Sequence, residues 1–148
     1  MPTDHASGSI VVDADPADVL AVLRDVEAQP EWVPNVTAAE LLEEYEDGTP
    51  ATASFRLTTA IGTDDFTLEF AHADEGLSWT LVSSSMQSAQ DGSYTLVPAA
   101  DGGTEVTLDL TIGHSLSVPG FLRRKVFGGW VDGSLRGLKE YVENGAGG

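Results

Sequence analysis

Hydrophobic and polar residues alternate with a period of two over most of the chain between residues 36 and 112. Such alternation is typical of strands with one face buried and the other in solvent. The short connections between these strands are rich in glycine, aspartate and proline, so neighbouring strands are expected to be antiparallel. A short apolar run also predicts a first strand over residues 9–13. The six later strands are predicted at 36–45, 51–60, 63–72, 76–84, 87–98 and 103–112.

Helical patterns stand before and after the six strands. Asp15 is a suitable N-cap and Pro16 suits the first helical position, so a helix is expected to begin here and to end before Pro30. Residues 29–34 are bracketed by prolines and predict one short turn of helix at most. Residues 119–143 predict a long amphipathic helix. Its apolar face comprises Phe127, Trp130, Val131, Ser134, Leu138, Tyr141 and Val142.

This order of elements predicts an α+β protein of one domain. A seven-stranded curved antiparallel sheet is expected to wrap around the long C-terminal helix, with two short helices between strands 1 and 2. The domain is predicted to span residues 8–143, and residues 1–7 and 144–148 are predicted to be flexible tails.

Three glycines, Gly129, Gly133 and Gly137, recur every four residues beside the apolar face of the long helix. Each costs about 1 kcal/mol relative to alanine in a helix interior, so their presence needs a reason. One explanation is that the helix backbone approaches its neighbours closely. The other is that the glycines leave space or let the helix flex for a ligand.

The order of elements and four segments resemble the START-like helix-grip superfamily (SRPBCC), and its bacterial polyketide cyclase/dehydrase and lipid transport branch is the most similar. The segments are Ser-Ile-Val-Val-Asp-Ala-Asp-Pro-Ala-Asp-Val at 9–19, Pro-Glu-Trp-Val-Pro at 30–34, Gln-Asp-Gly-Ser-Tyr at 90–94 and Val-Pro-Gly-Phe-Leu-Arg-Arg at 118–124. The resemblance implies a helix-grip fold with an apolar cavity between the sheet and the last helix. It does not fix an activity, because this fold serves several functions.

The apolar faces of the strands and helix provide candidate ligand-binding residues for such a cavity. His114 follows the last strand and Arg123 begins the long helix, so both are expected at the cavity mouth. Arg123 could clamp an anionic head group or simply pair with the acidic surface. The candidate lining residues are Phe55, Phe66, Leu68, Trp79, Tyr94, Leu108, Phe127, Val131 and Ser134.

No arrangement of catalytic residues is evident in the sequence. His72 has the inward phase of its strand but suits a rim or core histidine better than a base. The neighbouring carboxylates Asp64 and Asp65 point to opposite faces of a strand and are expected to be solvated. The chain has no cysteine and no histidine spacing typical of a metal site. With no glycine-rich phosphate loop either, neither a metal nor a cofactor is expected.

The charge balance excludes some partners. The chain has 24 acidic and 7 basic residues and a net charge of −17, which argues against nucleic acid and against anionic membrane surfaces. No apolar run approaches the roughly 18–20 residues needed to span a bilayer, so stable membrane insertion is not expected. The acidity serves solubility or reflects a salty cytoplasm. A cytoplasmic location is expected because residues 1–8 lack the pattern of a signal peptide.

Three functions remain open. The best supported is the binding or carrying of a small hydrophobic ligand, such as a lipid, a quinone or a polyketide-like molecule, in an internal apolar cavity. The second is an enzyme of the polyketide cyclase/aromatase type, for which an inward tyrosine or histidine would handle protons. The third is a protein-interaction module with a filled core and a protein partner on its surface.

Overall fold

The computed structural model describes residues 3–114 and 119–144. The expected tail residues 1–2 and 145–148, and residue 118 of the last matching segment, lie outside these ranges. The elements in chain order are β1 (Thr3–Val12), α1 (Pro16–Arg24), a 3-10 turn (Val26–Ala28), α2 (Gln29–Trp32), β2 (Val36–Glu44), β3 (Pro50–Thr59), β4 (Gly62–Ala73), β5 (Gly76–Ser84), β6 (Gln87–Pro98), β7 (Thr104–His114) and α3 (Gly120–Glu143).

The strands form one antiparallel sheet in the order β1-β7-β6-β5-β4-β3-β2. Consecutive strands from β2 to β7 are neighbours, as their short connections require. β1 and β2 form the two edges, and the segment containing α1 and α2 connects them. The prediction of an α+β helix-grip architecture is confirmed.

The first strand is longer than the sequence pattern predicts. β1 begins at Thr3, which pairs with Gly113 of β7. The expectation of a flexible tail is therefore wrong for residues 3–7. Asp4, Ala6 and Gly8 continue the inward phase of Ile10 and Val12, but small and polar residues conceal the alternation. Pairing with the long β7 organises a segment whose own pattern is weak.

The region between β1 and β2 is divided differently from the prediction. α1 ends at Arg24, and a 3-10 turn separates it from α2. Pro30 lies in the first turn of α2, where its missing N–H costs no hydrogen bond. The proline therefore helps to begin a helix here, whereas the prediction treats it only as the end of one.

The edge strand β1 is covered by the C-terminal half of α3. Lys139 Nζ donates to the carbonyl oxygen of Val11 at 2.8 Å, and the backbone N–H of Asp13 donates to Glu143 Oε2 at 2.8 Å. Lys139 and Glu143 also pair with each other at 2.6 Å. These contacts occupy backbone groups that an edge strand would otherwise expose.

Two of the three helix glycines allow close approach of α3 to the segment after α2. A Cβ atom at Gly137 would overlap the carbonyl oxygen of Trp32, and one at Gly133 would lie 2.7 Å from Cγ of Pro34. A Cβ atom at Gly129 would meet no atom of the described residues within 4 Å. The close-packing explanation therefore accounts for Gly133 and Gly137, whereas Gly129 borders open space.

The core lies between the concave face of the sheet and the helices. The inward phases predicted from the alternation are buried on β3, β4, β6 and β7, and α3 contributes Val131, Leu135 and Leu138. None of the helices in the described ranges combines the length and the apolar character needed to cross a bilayer.

Candidate functional site

An internal cavity lies where the sheet, the α1–α2 segment and α3 meet. We call it the central cavity. Its volume is about 40 Å³, counted as the space that the centre of a water-sized molecule can occupy. Its wall contains six aromatic rings and no charged side chain. The lining residues are Leu23, Gln29, Val33, Phe55, Phe66, Leu68, Phe70, Leu77, Trp79, Gln90, Tyr94, Leu108, Leu110, Trp130 and Ser134.

The structure brings most of the candidate lining residues together around this space. Phe127 lies instead at a second cavity, and Val131 is buried but lines neither. Val131 Cγ1 lies 3.5 Å from the Cβ position of Gly8, so Val131 packs α3 against β1. Whether any of these residues binds a ligand stays a prediction. The candidates lining the central cavity are Phe55, Phe66, Leu68, Trp79, Tyr94, Leu108 and Ser134.

The second cavity, which we call the end cavity, lies beside the β3–β4 and β5–β6 turns and the first half of α3. It offers about 30 Å³ to the centres of water-sized molecules. It differs from the central cavity because a carboxylate and an imidazole take part in its wall. Its lining residues are Leu57, Thr59, Ile61, Gly62, Asp64, Met86, Gln87, Ile112, His114 and Phe127.

A glycine on β6 determines the position of the Trp79 indole. Gly92 is the register partner of Trp79, and a Cβ atom at Gly92 would overlap the indole ring. The ring therefore occupies the space that a side chain at Gly92 would fill. It lies 5.5 Å from the Tyr94 ring and 6.3 Å from the Phe70 ring, between centroids. Edge and tilted contacts of this kind add to the energy of burial.

Four side chains form a directed chain of hydrogen bonds between the two cavities. Trp79 Nε1 donates to Gln90 Oε1 at 2.8 Å, Gln90 Nε2 donates to Gln87 Oε1 at 2.7 Å, and Gln87 Nε2 donates to Asp64 Oδ2 at 2.6 Å. An indole N–H can only donate and a carboxylate can only accept, so both ends fix the orientation of the two amides. The Gln90 amide, only 2% exposed, is thereby held in one orientation in the wall of the central cavity.

Asp64 organises the turn between β5 and β6. Its carboxylate accepts hydrogen bonds from the hydroxyls of Ser84 and Ser85 and from the backbone N–H groups of Ser85 and Met86, in addition to Gln87. The expectation of a solvated carboxylate is wrong for Asp64, which is 5% exposed. Burial of this polar group is tolerated because several hydrogen-bond donors replace its water. Asp65 is exposed, as expected, and pairs with Arg56 at 2.8 Å.

The two residues expected at the cavity mouth share one buried partner. His114 Nε2 lies 2.8 Å from Asp4 Oδ2, and Arg123 Nε donates to the same oxygen at 3.0 Å. His114 has no exposed surface, so it belongs to the wall of the end cavity and not to an open rim. Burial raises the pKa of Asp4, but the hydrogen bonds from His114 and Arg123 outweigh it and hold that pKa below its ordinary value.

Two hydroxyl groups face the central cavity from different walls. Tyr94 is on β6 and Ser134 is on α3, and both side chains are buried. Within the described residues, neither hydroxyl makes a hydrogen bond. Burial raises the pKa of Tyr94 above its ordinary value. Trp130, four residues before Ser134 on the same helix, has a buried indole N–H that lacks a partner in those residues.

The sequence analysis missed three polar groups in the interior: Asp4, Asp64 and Gln90. Strand phase could have found all three, because each continues the inward alternation of its strand. Asp64 precedes Phe66 and Leu68 by even steps, and Gln90 precedes Tyr94 in the same way. Their polarity, however, is typical of residues that face the solvent. Among residues 3–114 and 119–144, no three potential ligands come together at a metal site.

Comparison with known proteins adds family and fold. A model of the family described as polyketide cyclase / dehydrase and lipid transport matches residues 3–143. The chain is similar in structure to a START superfamily protein from Mycobacterium smegmatis, with 22% identity, a TM-score of 0.85, and coverage of 95% of this chain and 97% of that one. No protein with a curated description matches the chain in sequence.

Two further solved structures have the same fold. An aromatase/cyclase, Zhui, from a Streptomyces species has 13% identity and a TM-score of 0.83, with 97% of this chain and 95% of that chain covered. A STAR-related lipid transfer protein from Xanthomonas axonopodis has 21% identity and a TM-score of 0.73, with 93% and 84% covered. At these identities the likeness establishes the shared fold and nothing finer.

Proposed function

Because the chain belongs to the polyketide cyclase / dehydrase and lipid transport family, we propose that it binds a small hydrophobic molecule in the central cavity. The observation that carries the proposal is the character of that cavity. It lies between the sheet and the helices, is lined mainly by aliphatic and aromatic side chains, and has a few polar groups at defined positions. Ligand sites in proteins have this composition.

The size of the cavity limits the ligand. The 40 Å³ available to molecular centres becomes a void on the order of 150–200 Å³ when a water radius of about 1.4 Å is added on every side. An apolar cavity of roughly 150 Å³ is large enough to bind benzene. The cavity as it stands therefore suits a molecule of one or two rings, and a larger ligand would have to displace the helices that cover the sheet.

The names of similar structures support the same class of function. One is described as a lipid transfer protein and another as an aromatase/cyclase, and the first description concerns an apolar molecule. The cytoplasmic location and the absence of nucleic-acid partners expected from the sequence belong to this proposal. The net charge of −17 supports the latter.

The test is uptake of a small hydrophobic probe by two matched variants. Ser134→Leu should fill the central cavity, whereas Ser78→Leu adds the same side chain on the exposed face of β5. We expect naphthalene to bind the native protein and Ser78→Leu equally, and to bind Ser134→Leu at least tenfold more weakly. Circular dichroism would verify that both variants fold.

Native mass spectrometry of the protein from its own host would identify the natural ligand. A molecule bound near one-to-one and released by organic extraction would support the proposal. A bare protein mass, together with no uptake from a panel of naphthalene, lipids and quinones, would refute it and favour a surface partner.

A cyclase-type enzyme is the second candidate function. Tyr94 favours it, because this residue lines the central cavity and a tyrosine hydroxyl is protonated at neutral pH. A neutral tyrosine can act as a general acid toward a carbonyl oxygen. Conversion of a poly-β-ketone by the native protein, lost in Tyr94→Phe with binding retained, would establish it. Unchanged substrate after prolonged incubation would argue against an enzyme and leave ligand binding as the proposed function.

A further inference from the structure

The unpaired polar groups of the central cavity define the chemistry of its ligand. Resting on the proposed binding function, we infer that the ligand is an uncharged ring compound with an acceptor oxygen, such as a ketone, which accepts a hydrogen bond from Tyr94, Ser134 or both. Three features of the cavity favour such a ligand: hydroxyl groups that lack a partner among the described residues, a wall without basic side chains, and several aromatic rings.

The donors come from both walls of the cavity. The Tyr94 hydroxyl faces it from β6 and the Ser134 hydroxyl from α3, and neither is bonded to a described residue. Both side chains are buried, but neither oxygen is among the fully buried atoms that lack a partner, so each hydroxyl keeps some surface on which a hydrogen bond can form. A ligand oxygen would accept at least one of these bonds. A purely hydrocarbon ligand would leave both unpaired.

The balance of donors and acceptors favours an acceptor on the ligand. The indole N–H of Trp130 can only donate and also lacks a partner among the described residues, but it is fully buried, so a ligand would reach it only if the ring shifted. The side-chain oxygen of Gln90 is already engaged by Trp79, whereas its Nε2 bears one hydrogen beyond the one given to Gln87. A carbonyl oxygen is therefore satisfied more readily than a donor group.

The absence of basic side chains from the cavity wall disfavours anionic ligands. None of the 15 lining residues is an arginine, lysine or histidine. A carboxylate in this cavity would lose its hydration without gaining a counter-ion, and that penalty is large in an apolar environment. Fatty-acid anions are thus disfavoured relative to neutral molecules of the same size. The partly buried arginine near the N-terminus of α3, Arg123, is already paired with Asp4 and does not line the cavity.

The aromatic wall favours a flat ligand. Six of the lining residues are aromatic, and the rings of Phe70, Trp79 and Tyr94 follow one another at centroid distances of 6.3 and 5.5 Å. Such rings offer faces and edges to a flat conjugated molecule. A branched or flexible chain would use these surfaces less completely.

The experiment compares two probes of nearly equal shape, 1-indanone and indane, which differ by a carbonyl in place of a methylene. Binding is followed by chemical-shift titration of the protein. The native protein should prefer the ketone by about fivefold, the ratio expected from one net hydrogen bond. The preference should fall in Tyr94→Phe or Ser134→Ala and vanish in the double variant, with indane affinity unchanged.

Tyr45→Phe is the matched control, because its hydroxyl donates to the Phe70 carbonyl outside the cavity. It should keep the full preference for the ketone. Equal binding of both probes by the native protein, or an unchanged preference in the double variant, would overturn the inference and leave the binding function intact. Tight binding of indane-1-carboxylate would also overturn it. Failure of every probe to bind would remove the binding function itself.

Discussion

At the scale of single residues, the interior contains two kinds of polar group: some have hydrogen-bond partners within the protein, and others lack a partner in the part of the chain that the structure describes. Trp79, Gln90, Gln87 and Asp64 satisfy one another in sequence. Tyr94 and Ser134 have no such partners among the described residues. A network with every member satisfied stiffens a wall, whereas an unpaired hydroxyl in a cavity has bonding capacity left for a ligand.

Gly92 provides a test of how the Trp79 indole is placed. Gly92→Ala would push the ring away and break its hydrogen bond to Gln90, so we expect a loss of about 2–3 kcal/mol in the free energy of unfolding. Urea unfolding would measure it. The smaller ring of Trp79→Phe should relieve the overlap, so the alanine substitution should cost much less in that background. Equal costs in both backgrounds would contradict the proposed contact.

Tyr94 predicts a specific response to alkaline pH. Its pKa is raised by burial, so the folded protein holds this proton above pH 10 while the unfolded chain releases it. Stability should therefore fall as pH rises above about 10, by up to about 1.4 kcal/mol for each pH unit. Unfolding free energies measured between pH 9 and about 11.5 should fall less steeply in Tyr94→Phe than in Tyr45→Phe. Identical slopes would mean that Tyr94 is not held protonated.

At the scale of elements, α3 performs two separate tasks. Its C-terminal half packs closely against β1 and the segment after α2, while Trp130 and Ser134 face the central cavity. The three glycines are evenly spaced in the sequence, but their surroundings in the structure differ. Gly133 and Gly137 allow contact, and Gly129 borders open space within the described residues.

A pair of substitutions distinguishes these roles. Gly137→Ala should destabilise the protein, because overlap with the Trp32 carbonyl costs about 1–3 kcal/mol or more and exceeds the gain of about 1 kcal/mol in helix propensity. Gly129→Ala should keep the gain and stabilise by up to about 1 kcal/mol. Thermal unfolding would compare the two. Equal stabilisation by both substitutions would refute close packing at Gly137.

Asp4 joins three elements, because it lies on β1 and contacts His114 of β7 and Arg123 of α3. Asp4→Asn should cost about 2–3 kcal/mol at pH 7, since it removes a largely buried carboxylate from its partners. The folded pKa is lowered, so this stability is present above the unfolded pKa of 3.8 and is lost as pH falls through the folded value. The difference from native should therefore shrink in acid.

Urea unfolding at pH 7 and pH 3 would measure the effect of Asp4→Asn. Asp65→Asn is the control, because Asp65 pairs with Arg56 on the exposed face and should change little at either pH. A constant cost for Asp4→Asn at both pH values would indicate lost packing instead of lost charge.

At the scale of the whole molecule, the charge of −17 acts against the compact state. Salt screens this repulsion, so the melting temperature should rise with ionic strength, by about 3 °C for each 1 kcal/mol gained. Calorimetry from about 0.02 to 0.5 M sodium chloride would measure the rise. Potassium chloride should act equally if screening is the cause. A flat or falling curve would show that repulsion does not limit stability.

The sequence by itself determined the order of the elements and most of the inward faces. Alternation along β3, β4, β6 and β7 reports burial directly, because a strand turns successive side chains to opposite faces. The long helix could be predicted in the same way, since its apolar residues recur with helical period. Most of the candidate lining residues were found for this reason, as side chains on one concave face converge on the same space.

Only the tertiary structure decided which polar residues lie in the interior and which residues they contact there. Asp4 meets residues more than 100 positions away, and the hydrogen bonds of Asp64 and Gln90 come from Gln87 and Trp79, which stand at other places in the chain. Local pattern cannot reveal such partners, so it assigns polar residues to solvent. The cavity also results from tertiary packing and not from local sequence pattern. Its volume is what remains when the helices meet the sheet, and it depends on packing at Gly92, Gly133 and Gly137 that no single segment encodes.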